Sequence, residues 1–489
     1  MKTKIFLITF FILLCSHVYS QTTFKKIVGD ANNDEIPIVS LELDNGNFLG
    51  IIYNIKTDPA TGNTAISTII EMNEIGETIR IVYFADCLIK NITQTGDNFF
   101  CYGYNYSDTE AKAFVMLLDV DYNIVNTNKY QIPHFDSAAG NDSQLSYDCM
   151  IGFEDNFYCI YTVTNYNPYE TIANCFVFSN TADSINAYEF NAGIYDVCEN
   201  PVEEGFIFAG IFFDYNCSMG GNLQLAYSDT ELNITKVDCV DIPPSAFWKD
   251  CGIEPICNNI VISGIAINYY TGKLFGLGIF DTATTKLYYN TLGNNQEEMY
   301  HSYGIGMDVN TNKEIFGAAI YGYIGTEVYP SENNYIVIGK TDSLLNKKWE
   351  HFVGGDAYYL LLNVLACSDG GVLFSATRFD ESINNQEFDA CFIKLNADGC
   401  FTNIENKPQN LHNAILYPNP AKETLNLRTA VQYVPATLEV YNISGIKVLT
   451  ENITATEQTI NIASLTTGNY IFRIIFQNET IETGKFFVE

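Results

Sequence analysis

Basic residues are scarce in this chain: 25 Lys and Arg stand against 58 Asp and Glu over 489 residues, a formal charge of −33. A surface of that sign repels phosphate backbones and anionic membranes, so nucleic acid is not an expected partner. Charge of either sign is sparse at 17%, while 47% of the chain is hydrophobic and 14% aromatic, which is globular composition and not that of a disordered acidic tail. No amphipathic helix of any length emerges, because the apolar stretches are rich in Ile, Val, Phe, Tyr and Thr and are broken every few residues by Gly, Asn or Asp.

Long hydrophobic runs are also missing. The run from Ile5 to Cys15 covers eleven residues, short of the roughly 18 to 20 that cross a bilayer, so no transmembrane segment is expected. Lys2 and Lys4 precede it and polar residues with Ser20 follow, which reads as a signal peptide over residues 1–20 with cleavage before Gln21. Lipidation at Cys15 is not expected, since the preceding residue is Leu14 and not a small one. Losing Cys15 leaves thirteen of the fourteen cysteines, an odd number without a CxxC pair or a zinc-like cluster. Buried thiols and a few cross-strand disulfides are expected, with at least one thiol left over.

What is abundant is repetition. A short polar turn followed by an apolar strand recurs seven times, at Asn45-Gly46, Asp97-Asn98, Asp155-Asn156, Glu204-Gly205, Asn258-Asn259, Thr311-Asn312 and Gly370-Gly371, about fifty to sixty residues apart. That spacing predicts four-stranded propeller blades with modest insertions. The seventh unit lacks its fourth strand after Phe401, while Phe24 to Asp30 resembles Trp349 to Asp356, the fourth strand of the sixth unit. The chain is therefore expected to close a seven-bladed ring over residues 21–403 by lending its N-terminal strand to the last blade. A pair of β-sandwich domains is the rival architecture; seven-fold recurrence and the split blade favour the propeller. Ser368-Asp369-Gly370-Gly371 and Phe392 to Gly399 resemble the degenerate propeller repeats of many exported bacterial proteins, without tryptophan-aspartate or kelch signatures.

Residues 404–411 are polar, contain Pro408 and read as a linker. Beyond them, over 412–489, come Leu416-Tyr417-Pro418-Asn419-Pro420-Ala421, Leu438 to Gly445, Leu465-Thr466-Thr467-Gly468-Asn469-Tyr470 and Lys485 to Glu489. In order and spacing these resemble the type A C-terminal sorting domain of type IX secretion. From the residues alone a small Ig-like β-sandwich is expected, with strands near Leu425 to Leu427, Thr437 to Tyr441, Thr459 to Ile462, Tyr470 to Phe476 and Glu482 to Val488. The resemblance implies that type IX secretion machinery reads this module, which is then usually cleaved, leaving the cargo secreted or held at the outer-membrane surface.

Several propeller chemistries can be tested by counting. A sialidase needs an arginine cluster, but the repeat region has only Arg80 and Arg378; a Ser or Cys hydrolase needs a histidine base, and His134, His301 and His351 sit in no nucleophile motif. Two patterns remain. The loops joining second and third strands are crowded with tyrosine and asparagine: Tyr104-Asn105-Tyr106, Tyr166-Asn167, Tyr215, Tyr269-Tyr270 and Tyr323. Flat amphipathic rings beside amides suit a glycan or an extended peptide, unless they reflect only the abundance of tyrosine in this chain. Acids also recur just before the innermost strands, at Asp34 or Glu35, Asp86, Asp148, Asp196 and Asp250. They either ring one mouth of the channel, where a Ca2+ ion or cationic ligand would bind, or bond backbone amides in tight turns. Asp119 to Asn123 lacks the Gly and closing Glu of a calcium loop and reads as a hairpin turn.

The function these features favour is non-catalytic binding of an extracellular glycan or protein. The alternatives are a propeller enzyme, a metal-assisted lyase or hydrolase acting on polysaccharide, and a structural surface component. One outcome follows from the module alone: a chain truncated after residue 410 should fold yet accumulate in the periplasm. Cell fractionation with an antibody to the repeat region reads the result, and efficient surface delivery of the truncated chain would refute the sorting assignment.

Overall fold

The computed structural model describes residues 22–488 except 30–32, 59–61, 108–109, 136–142, 167–168, 216–222, 241–251, 269–271, 293–298, 301–305, 323–329, 331, 384–386, 402–413, 418–419, 430–433, 443–444 and 477–478. The segments expected to be a signal peptide and a linker thus lie outside the described residues. Two compact units divide between residues 403 and 404.

In the first unit the strands form seven antiparallel sheets, six of them running in chain order over residues 34–85, 88–131, 143–190, 192–239, 253–292 and 299–354. The seventh takes Tyr358–Ala366, Val372–Phe379 and Asp389–Leu395, then Phe24–Val28 from the start of the chain. The first strands of successive sheets pack on one another, and those of the seventh and first sheets do the same, so the ring closes into a β-propeller. These first strands surround the axis. The middle strands are apolar on both faces because a neighbouring blade covers each side; Val372–Phe379 is buried throughout. Outer strands alternate, as in Ile124–Gln131, where one row of side chains meets water.

Each of the seven blade interfaces holds its own apolar core. Between the second and third blades, Phe100 and Phe157 stack at 4.0 Å and Tyr102 meets Tyr161 edge-on at 5.6 Å. Polar staples recur around these cores. The turn joining third and fourth strands carries a left-handed residue whose side chain is buried at Tyr122, Ala182, Leu232 and Leu345. The acid or hydroxyl that opens the turn accepts backbone amides: Asp119 takes those of Asp121 and Asn123 at 2.9 and 2.8 Å. This turn is the hairpin expected there. Outer-strand side chains of one blade donate to the next blade's turn, as Asn126 to the Thr181 carbonyl at 2.8 Å, Asn128 to Ala182 at 2.7 Å and Trp349 to Ala397 at 2.8 Å. In the last blade Gly399 takes the left-handed position at φ 75°, and a Cβ there would stand 2.8 Å from the Trp349 ring.

Closure uses the N-terminal strand as expected: Ile27 pairs with Cys391 and Val28 with Ala390, antiparallel. Phe24 enters the core between the seventh and first blades and tilts against Phe48 at 5.8 Å. Lys25 donates to Asp356 at 2.9 Å and to the Tyr359 hydroxyl at 3.0 Å, and Arg378 bonds Asp380 at 2.6 Å beside them. Blades seven and one are joined further by the Glu42 carboxylate, which accepts the Ser368 amide at 2.7 Å and its hydroxyl at 2.6 Å.

The second unit is a sandwich of a three-stranded sheet (Ala414–Tyr417, Thr424–Thr429, Glu457–Asn461) and a four-stranded one (Lys447–Ile453, Ala436–Asn442, Gly468–Phe476, Glu479–Val488). Ala414–Tyr417 and Lys447–Ile453 were not among the expected strands. Its core includes Leu425, Leu427, Leu438, Val440, Phe472 and Phe486. The motif residues have structural work here: the Tyr470 hydroxyl donates to the Thr466 carbonyl at 2.7 Å, and Ala421 donates its amide to the Phe487 carbonyl at 2.8 Å.

Deleting residues 24–28 should destabilise the whole ring, since it bares the edge of Asp389–Leu395 and empties part of a core. Phe24→Ala alone is expected to cost about 3–5 kcal/mol. Thermal denaturation checks both; melting unchanged by either would contradict a closing role for this strand.

Candidate functional site

In a four-stranded meander the second-to-third loops and the blade-to-blade connections emerge on one face, and the remaining turns on the other. The expected aromatic face divides when its residues are located. Tyr166 and Tyr169 end the second strand and begin the third strand of blade three, exposed by 49% and 69%, their rings 6.2 Å apart. Tyr215, 43% exposed, follows Phe213 on the same face of blade four. Gln224 holds that loop by accepting the Phe212 amide and donating to the Tyr215 carbonyl at 3.1 Å.

Tyr104 is a correction. The second strand of blade two runs on to Ser107, so Tyr104 belongs to the strand and not to a loop; it is 6% exposed and packs in the core between blades two and three. Lys90 lies over its ring at 5.3 Å. Asn105 is half-buried and Tyr106 pairs with Ala111 in the same hairpin. Asn167, Tyr269, Tyr270 and Tyr323 lie outside the described residues, as does Asp250.

The described acids are not brought together as a ligand set. Asp86 is exposed in a left-handed turn at φ 56°. Asp148 pairs across a blade interface with Lys90 at 3.6 Å. Glu35 accepts from Asn54 at 3.1 Å, and Asp34 accepts the Phe388 amide at 2.9 Å. Asp196 is buried within its strand and takes the Val197 amide at 2.9 Å and, from blade five, the Ile253 amide at 2.8 Å. Among the described residues no group of three or more His, Cys, Asp or Glu is disposed to hold a metal ion.

Asp196 has counterparts that a search for acids before the strand misses. Asp308, inside the innermost strand of blade six, accepts the Val309 amide at 2.7 Å and the Ala366 amide of blade seven at 2.7 Å. Asn363 of blade seven accepts the Ser40 amide of blade one at 3.1 Å. Each spans from one innermost strand to the next. Burial pushes the Asp196 carboxyl up to about 7 and that of Asp308 up to about 6, although the amides they accept pull the other way. The sequence signal was an acid or amide set within an apolar strand, not before it.

A cavity of about 380 Å³ opens where the innermost strands of blades one to five approach their first turns, on the face opposite Tyr166 and Tyr215. Ser40, Asn91, Thr93, Glu199 and Glu254 supply its polar lining. Burial drives the Glu254 carboxyl well above the usual range, and Asp308 and Asp196 add to the effect.

Residues 415–489 match the family described as secretion system C-terminal sorting domain. No curated protein matches the chain. Among solved structures, the β-propeller domain of the Trilobed protease from Pyrococcus furiosus shares 9% identity at a TM-score of 0.43, covering 77% of this chain and 100% of that one. Pyrococcus horikoshii acylaminoacyl peptidase shares 7% at 0.41, covering 82% and 59%. Phage phi92 endosialidase shares 9% at 0.39, covering 91% and 77%. The class defined is a β-propeller with a type IX sorting tail. Such a tail marks export to the cell surface or beyond it, and no helix among the described residues is long and apolar enough to cross a membrane.

Asp196 generates a prediction of definite sign. A carboxyl raised from 3.8 to about 7 on folding binds its proton more tightly in the folded state, so its contribution is full below 3.8 and lost as pH rises to about 7. Stability of the parent relative to Asp196→Asn should therefore fall across that window, by up to on the order of 4 kcal/mol. Denaturant melts from pH 4 to pH 8 measure it; a flat difference would show that the carboxyl is ionised in the fold.

Proposed function

We propose that this protein is a non-catalytic binding protein outside the cell, engaging an extracellular glycan or protein through the aromatic face of blades three and four. The observation that carries this reading is the exposed pair Tyr166 and Tyr169 with Tyr215 one blade away. Tyrosine rings left in water at strand ends cost little side-chain entropy to dock, and a hydroxyl at each tip can bond a sugar or a peptide group. Tyr104 has no part in this surface. Export by the sorting tail puts such a face where extracellular ligands are found.

The triple substitution of Tyr166, Tyr169 and Tyr215 by alanine should leave melting almost unchanged, because exposed surface positions contribute within about 0.5 kcal/mol each. Binding should weaken by about tenfold or more, as expected of aromatic anchors. Glycan arrays and whole-cell binding, run with the parent and the triple variant, give the readout. Equal binding by the two would remove the tyrosine face from the function, and turnover of an arrayed polysaccharide would replace binding by catalysis.

A further inference from the structure

We propose that the outer strand of blade one, Thr78–Ala85, pairs antiparallel with the same strand of a second copy of this chain, so that two propellers join edge to edge about a twofold axis. The fourth strand of every blade ends its sheet, and its outward N–H and C=O groups are an open template for a further strand. Exposed charge blunts such edges, and blades two to six each have it: Lys129, Glu189, Lys236, Lys286, and Lys347 with Lys348. The five-residue strand of blade seven carries Lys25 and Lys26. Blade one is the exception. Its exposed residues are Thr78, Ile79, Ile81, Tyr83 and Ala85, with Ile79 50%, Ile81 41% and Tyr83 69% open to water. The one charge, Arg80, is half-buried and turned to blade two, where it bonds Asp121 at 3.0 Å and the Val120 carbonyl at 3.2 Å.

What covers this edge follows from the order of its residues. Ile79, Ile81 and Tyr83 alternate along one face, and Arg80 and Val82 along the other. In an antiparallel pair centred on Ile81, Ile79 stands opposite Tyr83 of the second copy and Ile81 opposite Ile81, so the two rows merge into one continuous apolar stripe. On the other face Arg80 falls opposite Val82 and not opposite a second Arg80. Directly opposed apolar side chains of this kind are what stabilises a sheet, and like charges are kept out of register. The strand is therefore complementary to itself. A strand from another protein would need none of this symmetry.

Charge selects the same place. With 58 acids against 25 bases, two copies repel wherever their acids face each other. Thr78–Ala85 contains no acid. Exposed Glu77 and Asp86 flank it and, in the register above, approach each other from opposite copies at both ends of the paired strands. Association should therefore tighten as salt screens them.

Sedimentation velocity of the full mature chain, from about 1 to about 200 µM at low and high salt, reads the assembly; a single strand edge is a small interface, so weak, concentration-dependent dimerisation is expected. Ile81→Lys and Ile81→Glu should each weaken it by about tenfold or more, because each sets like charges face to face on the axis. An equimolar mixture of the two should dimerise again, as expected only where position 81 meets its own copy. Tyr83→Lys, at the most exposed of the three positions, should also weaken it. Thermal melting of each variant, expected to match the parent, checks the fold. The alanine variant of Tyr166, Tyr169 and Tyr215 should dimerise as the parent does, which separates this edge from the proposed ligand face. A parent that stays monomeric throughout would leave the edge to another strand or to none and overturn the proposal. So would unchanged dimerisation of Ile81→Lys, or a mixture of the Lys and Glu variants that stays monomeric.

Discussion

Closure of the ring is the constraint on which the rest of this molecule depends. A blade buries its two faces only against neighbours, so seven sheets in a row would leave two apolar faces in water. The pairing of Phe24–Val28 with Asp389–Leu395 ties the two ends of the unit into one blade, and Phe24 fills the core that this blade shares with the first. Opening any one interface would therefore strain the whole circle. The Lys25, Asp356, Tyr359 and Arg378 network adds charge-assisted bonds at the same join, partly buried and so less screened than surface pairs.

Around that ring, polar groups hold blades together. Asp196, Asp308 and Asn363 each reach from one innermost strand to the next, close to the axis. Farther out, Asn126, Asn128 and Trp349 reach into the following blade's turn. Of the carboxylates that suggested a ring of ligands, Asp196 and Asp34 accept backbone amides, Asp148 pairs with Lys90, and Asp86 is exposed in its turn. On the face of the second-to-third loops, Tyr166, Tyr169 and Tyr215 are left exposed to water, without a packing duty.

The turns, the split last blade and the sorting motifs were legible in the chain because each depends on local chemistry. Gly399 and the Asn396 side chain that caps its turn define a tight turn within five residues. Phe24 to Asp30 could be matched to its place because it repeats the pattern of another fourth strand. Tyr104 could not be read correctly, since its neighbours Asn105 and Tyr106 look like a loop, and only the pairing through Ser107 and Glu110 puts it in a strand facing the next blade. Asp308 escaped notice for a related reason: an acid in Met307–Val309 has meaning only when the amide of Ala366 stands 2.7 Å away.

By itself the sequence determined the strand-and-turn alphabet, the number of times it is spelled, the exported character of the tail and the excess of negative charge, all properties of short segments or of composition. Only the tertiary structure decided which tyrosines meet water, which acids meet amides and which one faces an open cavity. Those outcomes turn on contacts between blades some fifty residues apart, as between Asp196 and Ile253, and burial is set by the neighbour a residue acquires, not by the residues beside it in the chain.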